Sequence, residues 1–550
     1  MKIKFYYFVI TILVSITFLS CSESKIQVDT LFINAKIYTV DSDFSTTEAL
    51  AVKGDKILAV GSVEELQSNY EAAETIDAKG KTMLPGLIDA HAHLYNLGLK
   101  LNQVDLDGTQ SFEEVVSKTK EFYKKNPNTD YIIGRGWDQN DWDIQEYPSK
   151  DTLDKLFPET PVALTRIDGH AMLVNQAALD RAEIDENTEI FGGEILKENG
   201  KLTGVLIDNP MSKIRNSFPE TDRKSQTEAL QSAEKVALSF GLTSLVDAGL
   251  KAEIIHLIND LQQSDKMKIR IYAMLSNNES EIDQFLDSGI LKTNKLNVRS
   301  VKVYADGALG SRGAALKSPY TDKDNHFGSM IIDLNEFKTL AAKLSKSEFQ
   351  MNTHAIGDSA NYVVLKTYDS LLKTETNRRW RVEHAQVMDA ENYNLFGGEN
   401  IIPSVQPTHA TSDMYWAEER LGKDRIKHAY AYKNLLNEAG KIALGTDFPI
   451  EKVNPFLTFY AAVARQDLEE FPEGGFNPEN ALSREETLRG MTIWAAYANF
   501  EDEEKGSLEP GKFADFIFID QDIMNVDIHK VPETQVLQTF IGGKEVYSAE

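Results

Sequence analysis

The chain has 550 residues, with 85 acidic against 58 basic side chains and a formal net charge of −27. That length exceeds one ordinary domain, and a 42% hydrophobic content supplies a large core, so two or three packed units are expected and global disorder is excluded. The charge excludes nucleic acid and anionic membrane surfaces as electrostatic partners, because their phosphates repel it; otherwise it reads as a solvated surface.

Lys2 and Lys4 precede an apolar run from Phe5 to Leu19, followed by Ser20 and Cys21. A basic start and a short apolar segment read as a secretory signal, too short for a stable membrane span. Cys21 is the single cysteine, and Phe18-Leu19-Ser20-Cys21 resembles a bacterial lipobox with Phe18 in place of the usual leucine. The alternative is an ordinary secretory peptide with an incidental cysteine. Lipidation of Cys21 leaves no thiol in the mature chain, which excludes disulfides and cysteine ligands; any metal is then held by nitrogen and oxygen. The expected location is the bacterial cell envelope, periplasmic or outer face, with the membrane as partner only through that anchor.

Residues 22–83 and 505–550 alternate like sheet around turn signals at Gly54-Asp55 and Gly542-Gly543, and are expected to form one composite β-sandwich from both chain ends. Between them, residues 84–504 hold eight buried-strand candidates: 84–91, 243–248, 269–275, 298–304, 350–354, 380–384, 402–406 and 442–446. Helical patterns such as 228–240 and 334–346 separate most of them. This α/β alternation predicts a (β/α)8 TIM-type barrel. Residues 95–241 form a large insertion after the first barrel strand, with a helix at 112–125 and strands at 131–134 and 162–166. A segment that long is expected to fold as a cap over the catalytic rim. Residues 308–312 read as a mobile rim loop, and the acidic run 501–504 as a solvated loop.

Four of these strands end in chemistry. His91-Ala92-His93 closes the first, and residues two apart on a strand point to one side, so both imidazoles can converge on one metal. His354 and His384 close the fifth and sixth, and Asp447 follows the eighth. Each lies at the C-terminal strand ends, where this fold gathers catalytic groups; a lone histidine there is otherwise an ordinary core residue. Lys302, between Val301 and Val303 on the fourth strand, points into the barrel, where an ammonium needs a partner. It is open to three roles: a carboxylated bridging ligand, a Schiff-base amine, or a salt bridge to Asp306 or another acid. His256, His326, His428 and His529 read as surface or packing residues.

The segments Leu84-Pro-Gly-Leu-Ile-Asp-Ala-His-Ala-His, Val301-Lys-Val-Tyr-Ala-Asp-Gly, Thr353-His-Ala-Ile-Gly-Asp, Val382-Glu-His-Ala-Gln and Gly445-Thr-Asp-Phe-Pro resemble the amidohydrolase superfamily. Within it they are similar to the subgroup of N-substituted formamide deformylases. Gly506-Ser-Leu-Glu-Pro-Gly-Lys-Phe-Ala-Asp is similar to that family's return to the composite sheet domain. The resemblance implies one or two divalent metals: His91, His93 and Asp447 on the first, His354 and His384 on the second, and carboxylated Lys302 bridging. Nitrogen and oxygen donors suit zinc best and also accept manganese, iron or cobalt. Asp447 is then the general base and acid, and metal-activated water cleaves a C–N bond in a small amide, formamide or cyclic amide. His170 is expected to reach down from the cap as a catalytic group, with Trp137, Arg166 and His409 lining the pocket. A lactone or ester hydrolase could use the same centre. A solute-binding lipoprotein on an inert barrel predicts missing ligands, and a lysine-dependent aldolase leaves the histidines unexplained. The oligomeric state is open, a homo-oligomer included.

Overall fold

The computed structural model describes residues 25–127 and 129–549, so the expected signal segment and Cys21 lie outside the described residues. Eight parallel strands lie side by side in chain order. They are β1 (Leu87–Ala92), β2 (Leu242–Leu250), β3 (Arg270–Leu275), β4 (Leu296–Tyr304), β5 (Gln350–Ala355), β6 (Trp380–His384), β7 (Ile401–Val405) and β8 (Ala443–Leu444). Both faces of such strands are covered, and β1, β3, β5, β6 and β7 are buried at every residue. Register aligns the C-terminal ends: Tyr304 lies opposite His354, and His354 opposite Glu383.

The barrel closes between β8 and β1. The Asp447 amide donates to His91 O at 2.7 Å, and the His93 amide to Phe448 O at 2.8 Å. The Asp89 carboxylate accepts from the Thr446 amide at 3.0 Å, the Thr446 hydroxyl at 2.7 Å and the His91 amide at 3.1 Å. Gly445 sits at the closest approach, where a Cβ would lie 2.5 Å from the His91 nitrogen.

The strand expected over 84–91 is two strands. Thr82–Pro85 joins the sheet domain beside Phe516–Ile519, and the barrel starts two residues after it, at Leu87. Gly86 makes the crossing: its amide donates to Asp515 O, and a Cβ there would lie 2.2 Å from Thr243 Oγ1. The sheet domain stacks a four-stranded sheet from residues 26–77 on a six-stranded sheet drawn from both chain ends. Phe32, Phe516, Phe518 and Phe540 fill the space between, with the Phe516 and Phe540 rings stacked at 4.6 Å. Arg270 at the start of β3 ties this domain to the barrel through two bonds to Asp515, 2.6 and 2.9 Å long.

The insertion builds its own six-stranded sheet from Val104–Asp105 to Lys201–Asp208, with Trp137, Trp142 and Leu164 in its core. Its extent is narrower than 95–241. Helices Leu94–Lys100 and Arg223–Ser239 bury Leu94, Leu97, Leu230, Ala233 and Ala237 in the barrel's own core. They pack so closely that a Cβ on Gly98 would lie 2.2 Å from Ala229 O.

Two loop expectations are overturned. Residues 308–312 are not a free rim loop: Leu309 and Ser311 are buried, and Gly310 lies against Arg166 and Trp416. Glu501 is not solvated either. It is 3% exposed and pairs with Lys505 at 2.7 Å and Lys292 at 2.8 Å, because those two ammonium groups beneath the barrel need a counter-charge. Burial alone would raise its pKa, but Lys505 and Lys292 outweigh that and hold it at about 2. Breaking a buried pair leaves charge uncompensated, so Glu501→Ala is expected to cost about 3 kcal/mol in thermal or urea unfolding at pH 7. Because the folded pKa is depressed, the gap from wild type should be full above pH ~4.5 and vanish as pH falls towards 2. A gap under about 1 kcal/mol at pH 7 would show that the pair does not hold the fold.

Candidate metal centre

The strand ends converge on one buried cluster. His91, wholly buried on β1, donates through Nδ1 to Glu383 Oε2 at 2.5 Å, which leaves the Nε2 lone pair facing inward. Burial, reinforced by Lys302, lowers the His91 pKa to about 4, so the ring is neutral. His93 donates through Nδ1 to Ala248 O at 3.0 Å and presents Nε2 to Asp447 Oδ1 at 3.1 Å. His384 donates through Nδ1 to Gln406 Oε1 at 2.7 Å, again leaving its other nitrogen free. His354 lies 4.5 Å from His384 between ring centroids, and its Nε2 faces Gly307 O at 3.4 Å. Burial pushes both His354 and His384 well below the usual imidazole range.

Asp447 is the common neighbour. Burial alone would raise its pKa, but the His93 contact outweighs that and holds it well below the usual carboxylate range, so it is ionised. Backbone turns aim these groups. Asp447 and His384 have φ of 62° and 71°, which break strand alternation. Glu383 and His384, adjacent in sequence, therefore both serve the cluster.

Lys302 is buried, and its Nζ donates to His91 Nε2 at 2.9 Å. Burial lowers its pKa to about 8. The salt bridge to Asp306 is not formed. Asp306 spends its oxygens on the amides of Ala315, Ile356 and Gly357 at 2.8, 3.0 and 2.8 Å.

The cap residues divide. His170 reaches the cluster: its ring lies 5.1 Å from His354, and Nδ1 donates to Asp208 at 2.6 Å. Burial opposes its charge, but Asp208 outweighs that and raises the pKa. Trp137 does not reach the cluster. It is fully buried in the cap core, with its indole N–H on Leu164 O at 2.7 Å, so it packs the cap rather than lining a pocket. Arg166 is 1% exposed and bound to Asp138, Asp168 at 2.7 Å and Gln139 at 2.8 Å, which makes it a tie inside the cap. His409 lies in the cluster itself, 3.7 Å from Asp447 Oδ2. His256 stacks on Phe285, His326 caps Arg312 O, and His428 and His529 lie against Tyr393 and Tyr460, all outside the cluster.

Sequence reasoning gave no role to Glu383, Arg381 and Asp89, and took Gln406 only as part of the pocket-lining segment Gln406-Pro-Thr-His409. Arg381 bonds to Glu383, Ser404, Asn499 and Ala90 O, and so fixes the carboxylate that orients His91. Burial alone would raise the Glu383 pKa, but Arg381 and His91 bring it down to about 2. The available signal was the i, i+2 spacing of Arg381 and Glu383, which puts both on the inner face of β6.

These residues fit a divalent metal. His91, His93 and Asp447, and separately His384, His409 and Asp447, place one donor atom each within 4.8 Å of one another. In His91, His93 and His384 the outer ring nitrogen is hydrogen-bonded, the arrangement by which metal-binding imidazoles are oriented. Residues 74–547 match the amidohydrolase family. The chain belongs to that family. It is 33% identical to Protein LONG AFTER FAR-RED 3 of Arabidopsis thaliana, over 95% of this chain and 92% of that protein. It is 26% identical to the N-substituted formamide deformylase of Arthrobacter pascens, over 94% of this chain and 97% of that enzyme. An uncharacterized metal-dependent hydrolase from Pyrococcus horikoshii has the same fold with a TM-score of 0.74 at 26% identity, covering 91% of this chain and 99% of that one. The amidohydrolase barrel is thus metal-dependent and hydrolytic as a class.

Glu383→Gln keeps the shape but removes the charge that orients His91. It is expected to weaken metal binding about 10–100-fold in chelator competition. Unchanged affinity would show that His91 needs no such partner.

Proposed function

We propose that the chain hydrolyses a C–N bond in a small amide, N-substituted formamide or cyclic amide. The observation that carries this is one ionised carboxylate, Asp447, set among inward-facing imidazole nitrogens at the barrel mouth. Bound metal supplies a water acidic enough to act as nucleophile near neutral pH and polarises the substrate carbonyl. The chain's own groups do the rest. Asp447, ionised and within reach of His93, accepts a proton from the attacking water and delivers it to the leaving nitrogen. His170, whose pKa Asp208 raises against the effect of burial, stands over the cluster from the cap and donates to the developing negative oxygen.

Lys302 fits the same scheme. Its amine points at the lone pair of His91 that a metal would take, so an ammonium there competes with binding. Burial favours the neutral amine, the form that reacts with carbon dioxide, and the resulting carbamate turns a competing donor into an oxygen ligand. Zinc suits this donor set best, with manganese, iron and cobalt also compatible.

The test is hydrolysis of a panel of N-substituted formamides, simple amides and cyclic amides with matched esters, before and after chelation and zinc reloading. Amide cleavage abolished by chelation, restored by zinc, and reduced about 10²–10⁴-fold in kcat by Asp447→Asn is expected. A near wild-type rate in that variant would remove Asp447 from proton transfer, and turnover of esters alone would overturn the C–N assignment.

A further inference from the structure

We propose that Arg135 and Arg215 of the cap form a carboxylate-binding subsite beside the metal cluster, so that the amide hydrolysed belongs to an acid such as an N-formyl or N-acyl amino acid. The inference rests on the hydrolase reading above and names its substrate class.

Both guanidinium groups reach the turn that delivers His170. Arg135 lies on the cap strand Ile132–Trp137 and donates through Nη2 to Ile167 O at 3.0 Å. Arg215 lies in the last turn of the helix Met211–Asn216 and donates through Nη2 to Gly169 O at 3.1 Å. Gly169 has a φ of 76°, and a Cβ there would lie 3.1 Å from Arg135 Nη2, so the guanidinium packs against the turn itself. His170, the next residue, stands 5.1 Å from His354 between ring centroids. The two arginines therefore enter beside the imidazole assigned above to the developing negative oxygen.

These charges have no internal partner. Among the described residues neither guanidinium pairs with a carboxylate, and Arg135 Nε is buried with no hydrogen-bond partner. Asp168 and Asp208, the cap acids around this turn, are spent on Arg166 and His170. Burial lowers the Arg135 pKa, the like charge of Arg215 lowers it further, and Asp447, Asp168 and Asp107 oppose both through space. Burial also lowers the Arg215 pKa, although that residue is exposed. A side chain hemmed in by protein yet open to solvent lines a recess. Tyr304 shares it: 36% exposed at the end of β4, it interacts with Arg215, and its ring lies 6.4 Å from that of His170. Two like charges held in one recess need a counter-ion, and guanidinium groups match a carboxylate through paired N–H bonds. Arg135 is near enough to the cluster for Asp447 to act on its charge, so one small molecule can span both. A neutral amide would reach the cluster and leave both guanidinium groups without a partner.

The experiment uses the N-formyl derivatives of glycine, leucine and phenylalanine and the matching neutral N-formyl amino alcohols. Formate release gives kcat/KM on zinc-loaded wild type, Arg135→Gln, Arg215→Gln and the two corresponding lysine variants. Calorimetry reads binding of the same compounds in the Asp447→Asn background, and thermal melts check that each variant folds. Wild type should prefer the acids by about 100-fold, chiefly through KM, and each glutamine variant should lose about 10–100-fold of that preference. The lysine variants, which keep the charge, should recover part of it. Equal use of acids and alcohols by wild type, or an unchanged preference in both glutamine variants, would overturn the subsite and leave the hydrolase reading intact. Acids bound but not cleaved, with binding lost in the glutamine variants, would support the subsite and remove the hydrolase reading. Acids neither bound nor cleaved would overturn the subsite.

Discussion

The contact between β8 and β1 is the constraint on which the site depends. Position 447 and positions 91 and 93 are separated by most of the barrel in sequence, yet the Asp447 amide bonds directly to His91 O. Asp89 holds the junction from inside by accepting two bonds from Thr446 and one from the His91 amide two residues along its own strand. Gly445 permits the approach, since any side chain there would strike the β1 backbone. A barrel that failed to close would still carry every ligand residue and would bring few of them together.

Around that junction the barrel keeps an unusual density of buried charge. Arg381, Glu383, Lys302 and Asp447 all lie within one end of the core, each at most 5% exposed. Isolated, each would be expensive there; linked, they define which imidazole nitrogen faces outward and which faces inward. Arg381 fixes Glu383, Glu383 fixes His91, and Gln406 fixes His384. The cap extends the same logic from above, with Arg166 held by Asp138 and Asp168, and His170 by Asp208. In the loop after β4 a Cβ on Gly307 would collide with the Asp208 carboxylate and one on Gly310 would sit tightly against Arg166, which is how closely the cap seats on the rim. A cavity of about 780 Å³ beside Pro449, Leu97 and Tyr460 lies next to this arrangement and is lined by none of the cluster side chains.

Much of this was legible in the sequence because the family motifs sit at strand ends. His91, His354, His384 and Asp447 each close a strand-like run, so strand order and ligand order were read together. The partners that orient them left only the i, i+2 spacing of Arg381 and Glu383 as a trace. Nothing in Val382-Glu-His shows that Glu383 turns to His91 across the barrel, and only the positive φ at His384 lets neighbouring residues share one side. Trp137 and Arg166 misled because polar-tipped residues in a cap segment look the same whether they face a pocket or tie the cap together. Glu501 misled because a run of acidic residues reads as solvated, and the matching Lys292 lies far away in sequence. The cap's limits were overdrawn because an amphipathic helix such as Arg223–Ser239 does not announce which body covers its apolar face.

Buried histidines and Asp447 hold the catalytic metal, and X-ray absorption on the zinc-loaded protein reads that shell. A low-coordinate set of nitrogen and oxygen neighbours at about 2.0–2.1 Å is expected, with the outer-shell scattering that imidazole rings produce. A spectrum of zinc surrounded by water or carboxylate oxygen alone, with no imidazole scattering, would place the ion away from these histidines.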